Sequence, residues 1–159
     1  MNSLPKLNFP AIRLRARRRD GRVEVWDEVR RGYFVLTPEE WVRRHLVSAL
    51  VVQCGAPLQR IAEEYPVPLN GQAQRADVVV MGADARPLLL AECKAPDVAI
   101  DGRTWDQAVR YNAVVGARYL VLTNGREHYC CERAGDSYRR CESLPDLRAD
   151  SDRQDNLPL

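Results

Sequence analysis

Two apolar runs, Ala76–Met81 and Pro87–Cys93, are separated only by the polar stretch Gly82–Arg86. Each is too short for an ordinary helix, and the first is rich in β-branched valine, so both read as strands. Joined by so short a turn, they must pair antiparallel. Consecutive valines in one and leucines in the other leave no polar face. The pair therefore belongs in the middle of a sheet covered on both sides.

The flanking segments supply the rest of an α/β domain. Ile12, Leu14 and Ala16 alternate with arginines, and Val23 and Val25 follow Asp20-Gly21, a two-residue hairpin signal. Tyr33–Leu36 is a third short apolar run. Thr37 is placed to cap a helix, Pro38 suits its first turn, and Glu40 can reach back to close a capping box. That helix is expected over Pro38 to about Val52, burying Trp41, Leu46 and Leu50, with Gly55 ending it. Arg60–Val67 is ambiguous; a strand is favoured, ended by the Pro66 and Pro68 pair. Asn70-Gly71 marks a turn. Thr104-Trp105-Asp106-Gln107 reads as a second capping box, opening a helix that stops at Gly116. Tyr119–Thr123 and Glu127–Glu132 read as strands joined through Asn124-Gly125. The order predicts one α/β domain with a central mixed sheet flanked by helices and an N-terminal β-hairpin. Its parts are a basic segment over 1–36, a core over 37–142 and a polar, frayed tail over 143–159.

A chain of 159 residues suits a single domain, and its net charge of +2 alone gives little reason to expect a nucleic-acid partner. The charge is unevenly spread. Residues 1–31 hold nine basic against four acidic side chains, and residues 142–159 hold two against five. No apolar run approaches the roughly 18 residues of a membrane span, and the first residues resemble no secretory signal. Five cysteines without CxxC spacing argue for a reducing, cytoplasmic setting.

The central strand pair carries three ionisable residues where none would be expected. Asp77 lies at the start of the first strand, Glu92 at the end of the second, and Lys94 just beyond it. In a hairpin those ends are neighbours, so Asp77 should stand beside Glu92. Alternation puts Glu92 and Lys94 on one side and Cys93 on the other. Two carboxylates against apolar surroundings repel each other and are poorly solvated. A hard divalent cation such as Mg²⁺ or Mn²⁺ neutralises them, and Lys94 could then hold a water or stabilise charge at phosphorus. The plain alternative is a solvent-facing strand end with Asp77 as a turn residue.

Asp77…Glu92-Cys93-Lys94 matches the signature of the PD-(D/E)xK nuclease superfamily. The segment RADVVVMGADARPLLLAECKAP resembles more specifically the N-terminal nuclease domain of type I restriction enzyme R subunits. TPEEWVRRHL, TWDQAVRYN and YLVLTNGREHYCC look like the same family, and the likeness spans roughly residues 5–142. The resemblance implies a restriction-endonuclease-like core. It also implies Asp77 and Glu92 as metal ligands, the Cys93 carbonyl as a backbone ligand and Lys94 as the catalytic lysine. Gln107 and Tyr111 match the family's Q-x-x-x-Y motif, and their i, i+4 spacing places them on one helix face. Glu40 is the first-helix candidate to complete the metal site, with Glu39 as runner-up. The residue before Asp77 is Ala76 rather than the proline of the superfamily's name, a position that leaves the carboxylate in place. Arg75, Arg15, Arg17 and Arg18 are candidate phosphate contacts, against the alternative of a solvated basic face.

These readings lead to an Mg²⁺- or Mn²⁺-dependent DNA endonuclease without its own motor. Candidate partners are a separate motor or specificity subunit and a second copy of the chain. The alternative is a catalytically silent DNA-binding or assembly module; a third reading is a nuclease for RNA or another substrate. His128 with Cys130 and Cys131 fits no standard zinc spacing, and no Gly-rich phosphate loop is present.

Overall fold

A computed structural model of the chain describes residues 3–148, so most of the tail expected over 143–159 lies outside the described residues. Strands β1 (Ala16–Arg19), β2 (Arg22–Asp27) and β3 (Gly32–Val35) form an antiparallel sheet of their own. Helix α1 (Pro38–Val52) follows. Then come β4 (Ile61–Leu69), β5 (Gln72–Met81) and β6 (Pro87–Cys93), helix α2 (Gly102–Val115), and β7 (Tyr119–Thr123), β8 (His128–Ala134) and β9 (Ser137–Cys141). The last six strands make one sheet in sequence order, antiparallel throughout except for the parallel pair β6–β7. A parallel pair needs a long crossover, and α2 is that crossover.

The helices cover opposite faces of the six-stranded sheet. Val42, Leu46 and Leu50 of α1 pack with Val78, Val80, Leu89 and Ala91, whereas Ala108 and Tyr111 of α2 pack with Val79, Leu90, Leu120 and Leu122. Both faces of β5 and β6 are buried, which accounts for their unbroken apolar runs. The described sequence contains no helix long and apolar enough to cross a membrane.

Local signals account for most boundaries. Asp20 and Gly21 both take positive φ, as do Asn70 and Gly71, as the two central residues of a tight hairpin turn require. Thr37 caps α1 by accepting the N–H of Glu40. The second half of the expected capping box does not form, because the Glu40 carboxylate is drawn to arginines. The α2 cap is Asp101 and not Thr104: its side chain accepts from the N–H groups of Arg103 and Thr104, so the helix starts earlier than expected. Gly116 closes α2 in the left-handed conformation.

Two other expectations are corrected. β4 runs through Pro66 and Pro68 instead of ending at them. It is an edge strand, and alternate edge positions have no neighbour for an N–H to reach, so proline costs little there. The described start of the tail, 143–148, is also held and not frayed. Leu147 is buried beneath α1, and its N–H donates to the Cys54 carbonyl at 2.8 Å.

A buried charge network fastens the N-terminal sheet to the core. Asp27, at the end of β2, accepts from Arg44 of α1 at 2.7 Å and also from Arg30. Glu40 pairs with Arg30, Arg43 and Arg44 at 2.6–3.0 Å. Glu63 of β4 pairs with Arg30 and Arg44. Charges this far from water persist only as matched sets.

Asn112 holds the end of α2 in a similar way, with neutral groups. Fully buried, it donates to the Ala117 carbonyl and the Tyr138 hydroxyl and accepts the Ala117 N–H. Asn112→Ala leaves those groups unpaired, each at about 1–3 kcal/mol. A drop of at least about 2 kcal/mol in urea unfolding is the expected result.

Candidate active site

The site lies where the β4–β5 ladder is interrupted. Glu63 pairs with Val78 and Tyr65 with Ala76, but the intervening Glu64–Asp77 pair is missing, and Glu64 takes a left-handed φ of 53°. Side-chain alternation slips at the same place. Ala76 and Val79 both face α2, while Val78 faces α1. Asp77 is the residue at the slip, and its charge acts on Glu39 and Arg43 of α1 and on Tyr111 of α2.

β5 and β6 bring Asp77 and Glu92 together as the hairpin requires. The Asp77 carboxylate accepts the Cys93 N–H at 2.7 Å, and the Asp77 N–H points at the Glu92 carboxylate at 3.4 Å. Glu92 is only 6% exposed. Burial, then the adjacent negative charge of Asp77, lifts its carboxyl well above the ordinary carboxylate range. Lys94 follows directly, and its N–H continues the ladder to the Thr123 carbonyl at 2.8 Å. Its positive charge acts on both Glu92 and Glu39. The Cys93 side chain packs into the α1-side core, and its thiol is raised by burial first and then by Asp77.

The helices contribute one wall each. From α2, the Gln107 amide donates to the Tyr111 hydroxyl at 3.0 Å, and that hydroxyl donates to the Gln74 side chain of β5 at 3.2 Å. The Tyr111 phenol is raised by burial and by the charge of Glu92. From α1, Glu39 is raised by burial and by Asp77, with Arg43 and Lys94 pulling the other way. Arg43 also binds Glu64, and the charge of Asp77 supports its protonated form.

The residues proposed from sequence separate into three groups. Asp77, Glu92, Lys94, Gln107 and Tyr111 share one neighbourhood, with the Cys93 backbone between the two carboxylates. Glu40 does not join them: its carboxylate is held by three arginines, and Glu39 is the first-helix carboxylate that senses Asp77 and Lys94. Arg17 and Arg18 lie on β1 of the N-terminal sheet with Arg15 just before it, and Arg75 is exposed on β5 before Asp77. Gln74, Arg43 and Glu64 were not anticipated. The i, i+4 spacing of Glu39 and Arg43 was a usable signal for one of them; the irregular backbone at Glu64 left none.

The donor set suits a hard cation. Two carboxylates meet, one of them buried, and the charge of Asp77 adds to the burial that raises Glu92, which is the electrostatic situation a divalent ion relieves. Among the described residues no three His, Cys, Asp or Glu side chains converge on one point. An ion would thus take two carboxylates, a backbone carbonyl and water, as Mg²⁺ commonly does. His128 is engaged elsewhere, with the Thr123 hydroxyl and the Asn8 carbonyl.

The fold and its neighbours agree. A solved structure described as a fragment of a candidate HsdR subunit of a type I restriction enzyme, from Vibrio vulnificus YJ016, is similar over 75% of this chain. Its TM-score is 0.57 at 20% identity, and the match covers 25% of that solved chain. No curated protein matches the chain. The family model for the type I restriction enzyme R protein N terminus matches residues 38–147, from the first turn of α1 to the buried Leu147. That span includes every residue of the site, and the chain belongs to this family.

Proposed function

We propose that this domain is a metal-dependent deoxyribonuclease of the PD-(D/E)xK type that works in a restriction system. The observation that supports it most is the convergence of Asp77 and Glu92 from paired strands, with Lys94 directly after them. Solvated strand ends would keep two carboxylates apart. Here one of them is buried against the other.

A bound Mg²⁺ or Mn²⁺ would polarise the scissile phosphate and make a coordinated water more acidic. Asp77, Glu92 and the Cys93 carbonyl would hold it. Lys94 would orient the attacking water and stabilise negative charge growing at phosphorus. Gln107 and Tyr111, tied together and to Gln74, border the site from α2 and fix its shape. The water oxygen bonds to phosphorus as the P–O3′ bond breaks, leaving 5′-phosphate and 3′-hydroxyl ends. Cutting both strands of a duplex would take two such sites or two sequential nicks. A motor or specificity subunit would supply translocation and sequence choice.

Incubation of the purified chain with supercoiled, linear and single-stranded DNA tests this directly. Nicked or shortened products are expected with Mg²⁺ or Mn²⁺ and none with EDTA. No cleavage of any of these DNAs with either metal would overturn the reading and favour a silent DNA-binding or assembly module.

A further inference from the structure

We infer that the outward face of the N-terminal sheet is a clamp for the sugar–phosphate backbone of DNA, separate from the catalytic residues. The inference takes its partner from the nuclease reading. Strand register decides which arginines face outward. Arg17 stands opposite Glu24 and Arg19 opposite Arg22, so both pairs share one face, with Arg15, Trp26 and Tyr33. Arg18 pairs with Val23 on the other face, the one that buries Val25, and so leaves this set.

An ordinary solvated face mixes both signs of charge. Here four arginines accompany Glu24 and the turn residue Asp20, which lies 4.0 Å from Arg19, and Arg19 and Arg22 stand directly opposite each other, a like-charge pairing that costs stability. The aromatic rings hold Arg15 and Arg17 without adding negative charge, although Arg17 also pairs with Glu24 at 2.6 Å. Arg17 lies over the Tyr33 ring at 4.0 Å, and Arg15 lies over Trp26 at 5.1 Å and Tyr33 at 5.6 Å. A stacked guanidinium keeps N–H edges available for phosphate oxygens and loses less side-chain freedom on binding. The rings are covered by arginine, so the face is suited to phosphate and not to stacking of bases. The sheet is also close to the chemistry. Val35, at the end of β3 on this face, is four residues from Glu39, a Cα separation of at most about 14 Å.

The test uses the full chain carrying Asp77→Asn, without divalent metal, and measures its binding to a labelled random-sequence duplex by fluorescence anisotropy across a salt series. Replacing Arg15, Arg17, Arg19 and Arg22 together by Gln should weaken binding at least about tenfold at low salt. It should also make the slope of log affinity against log salt shallower by about 2–4. If that variant does not fold, judged by its thermal midpoint, Arg22→Glu alone should still give a shallower slope. Unchanged affinity and slope in the folded variants would overturn the clamp, as would failure of the parent to bind DNA. Binding of polyglutamate in preference to the duplex would also overturn it, and would point to an acidic protein partner. Cleavage by the native chain is scored separately. Arginine-dependent binding without cleavage leaves the clamp standing and removes the nuclease, and cleavage unaffected by the arginine changes does the reverse.

Discussion

Asp77→Asn is expected to lower Mg²⁺-dependent DNA cleavage by roughly 10³-fold, the scale of several kcal/mol of lost charge stabilisation. Lys94→Ala should cost about 10²–10³ for the loss of one electrostatic donor. The asparagine keeps an oxygen to accept the Cys93 N–H, so the β5–β6 contact survives. It also removes a negative charge beside buried Glu92, which relieves repulsion in the metal-free protein. The variant should therefore unfold at the same or a higher temperature than the native chain while losing activity. Steady-state cleavage and a thermal scan on the same preparation check both halves. Native-like turnover by Asp77→Asn would remove Asp77 from the proposed chemistry.

Arg44→Met is expected to have the largest effect on stability. It strips Asp27, Glu40 and Glu63 of a shared cation inside the protein. Removing one partner from a buried set leaves uncompensated charge and costs about 3–5 kcal/mol. In a domain of this size that corresponds to a fall on the order of 10 °C in the unfolding midpoint. The same network predicts sensitivity to acid. Burial alone would raise the Asp27 carboxyl, but the charge of Arg44 and hydrogen bonds from Arg30 and the Val29 N–H outweigh it, and the net shift is downward. A depressed folded value gives stability that is complete above the ordinary value of 3.8 and is lost as pH falls through the lower one. Urea unfolding from neutral to acid pH should show this loss in the native chain, and Asp27→Asn should flatten that limb. An Arg44→Met midpoint within a degree or two of the native one would show the network to be dispensable.

What could be read from the sequence was set by range. Asn-Gly and Asp-Gly turns, the Thr37-Pro38 start of α1 and the Gly116 stop of α2 are local, and they appear where their chemistry puts them. The Asp77–Glu92 contact was legible for the same reason, since a short turn leaves the two strands little choice of register. The errors come from residues whose role is decided by distant partners. Glu40 looks like a capping residue or a ligand until Arg30, ten residues upstream, and Arg44 claim it. Pro66 and Pro68 read as terminators because nothing local reveals that β4 lies at an edge. Thr104 gave a plausible cap, but Asp101 three residues earlier starts the helix sooner by accepting the N–H groups of Arg103 and of Thr104 itself with a stronger, charged acceptor. The interruption opposite Asp77 has no sequence signature, because glutamate rarely adopts the φ found at Glu64.

Those two prolines also bear on how copies of this domain could meet. A free sheet edge normally offers a row of N–H and C=O groups on which another chain can extend the sheet. On β4 two alternate positions have no N–H to offer, so a second copy cannot add a continuous strand there. A pair assembled to cut both strands of a duplex would have to associate in some way other than continuing the sheet from β4.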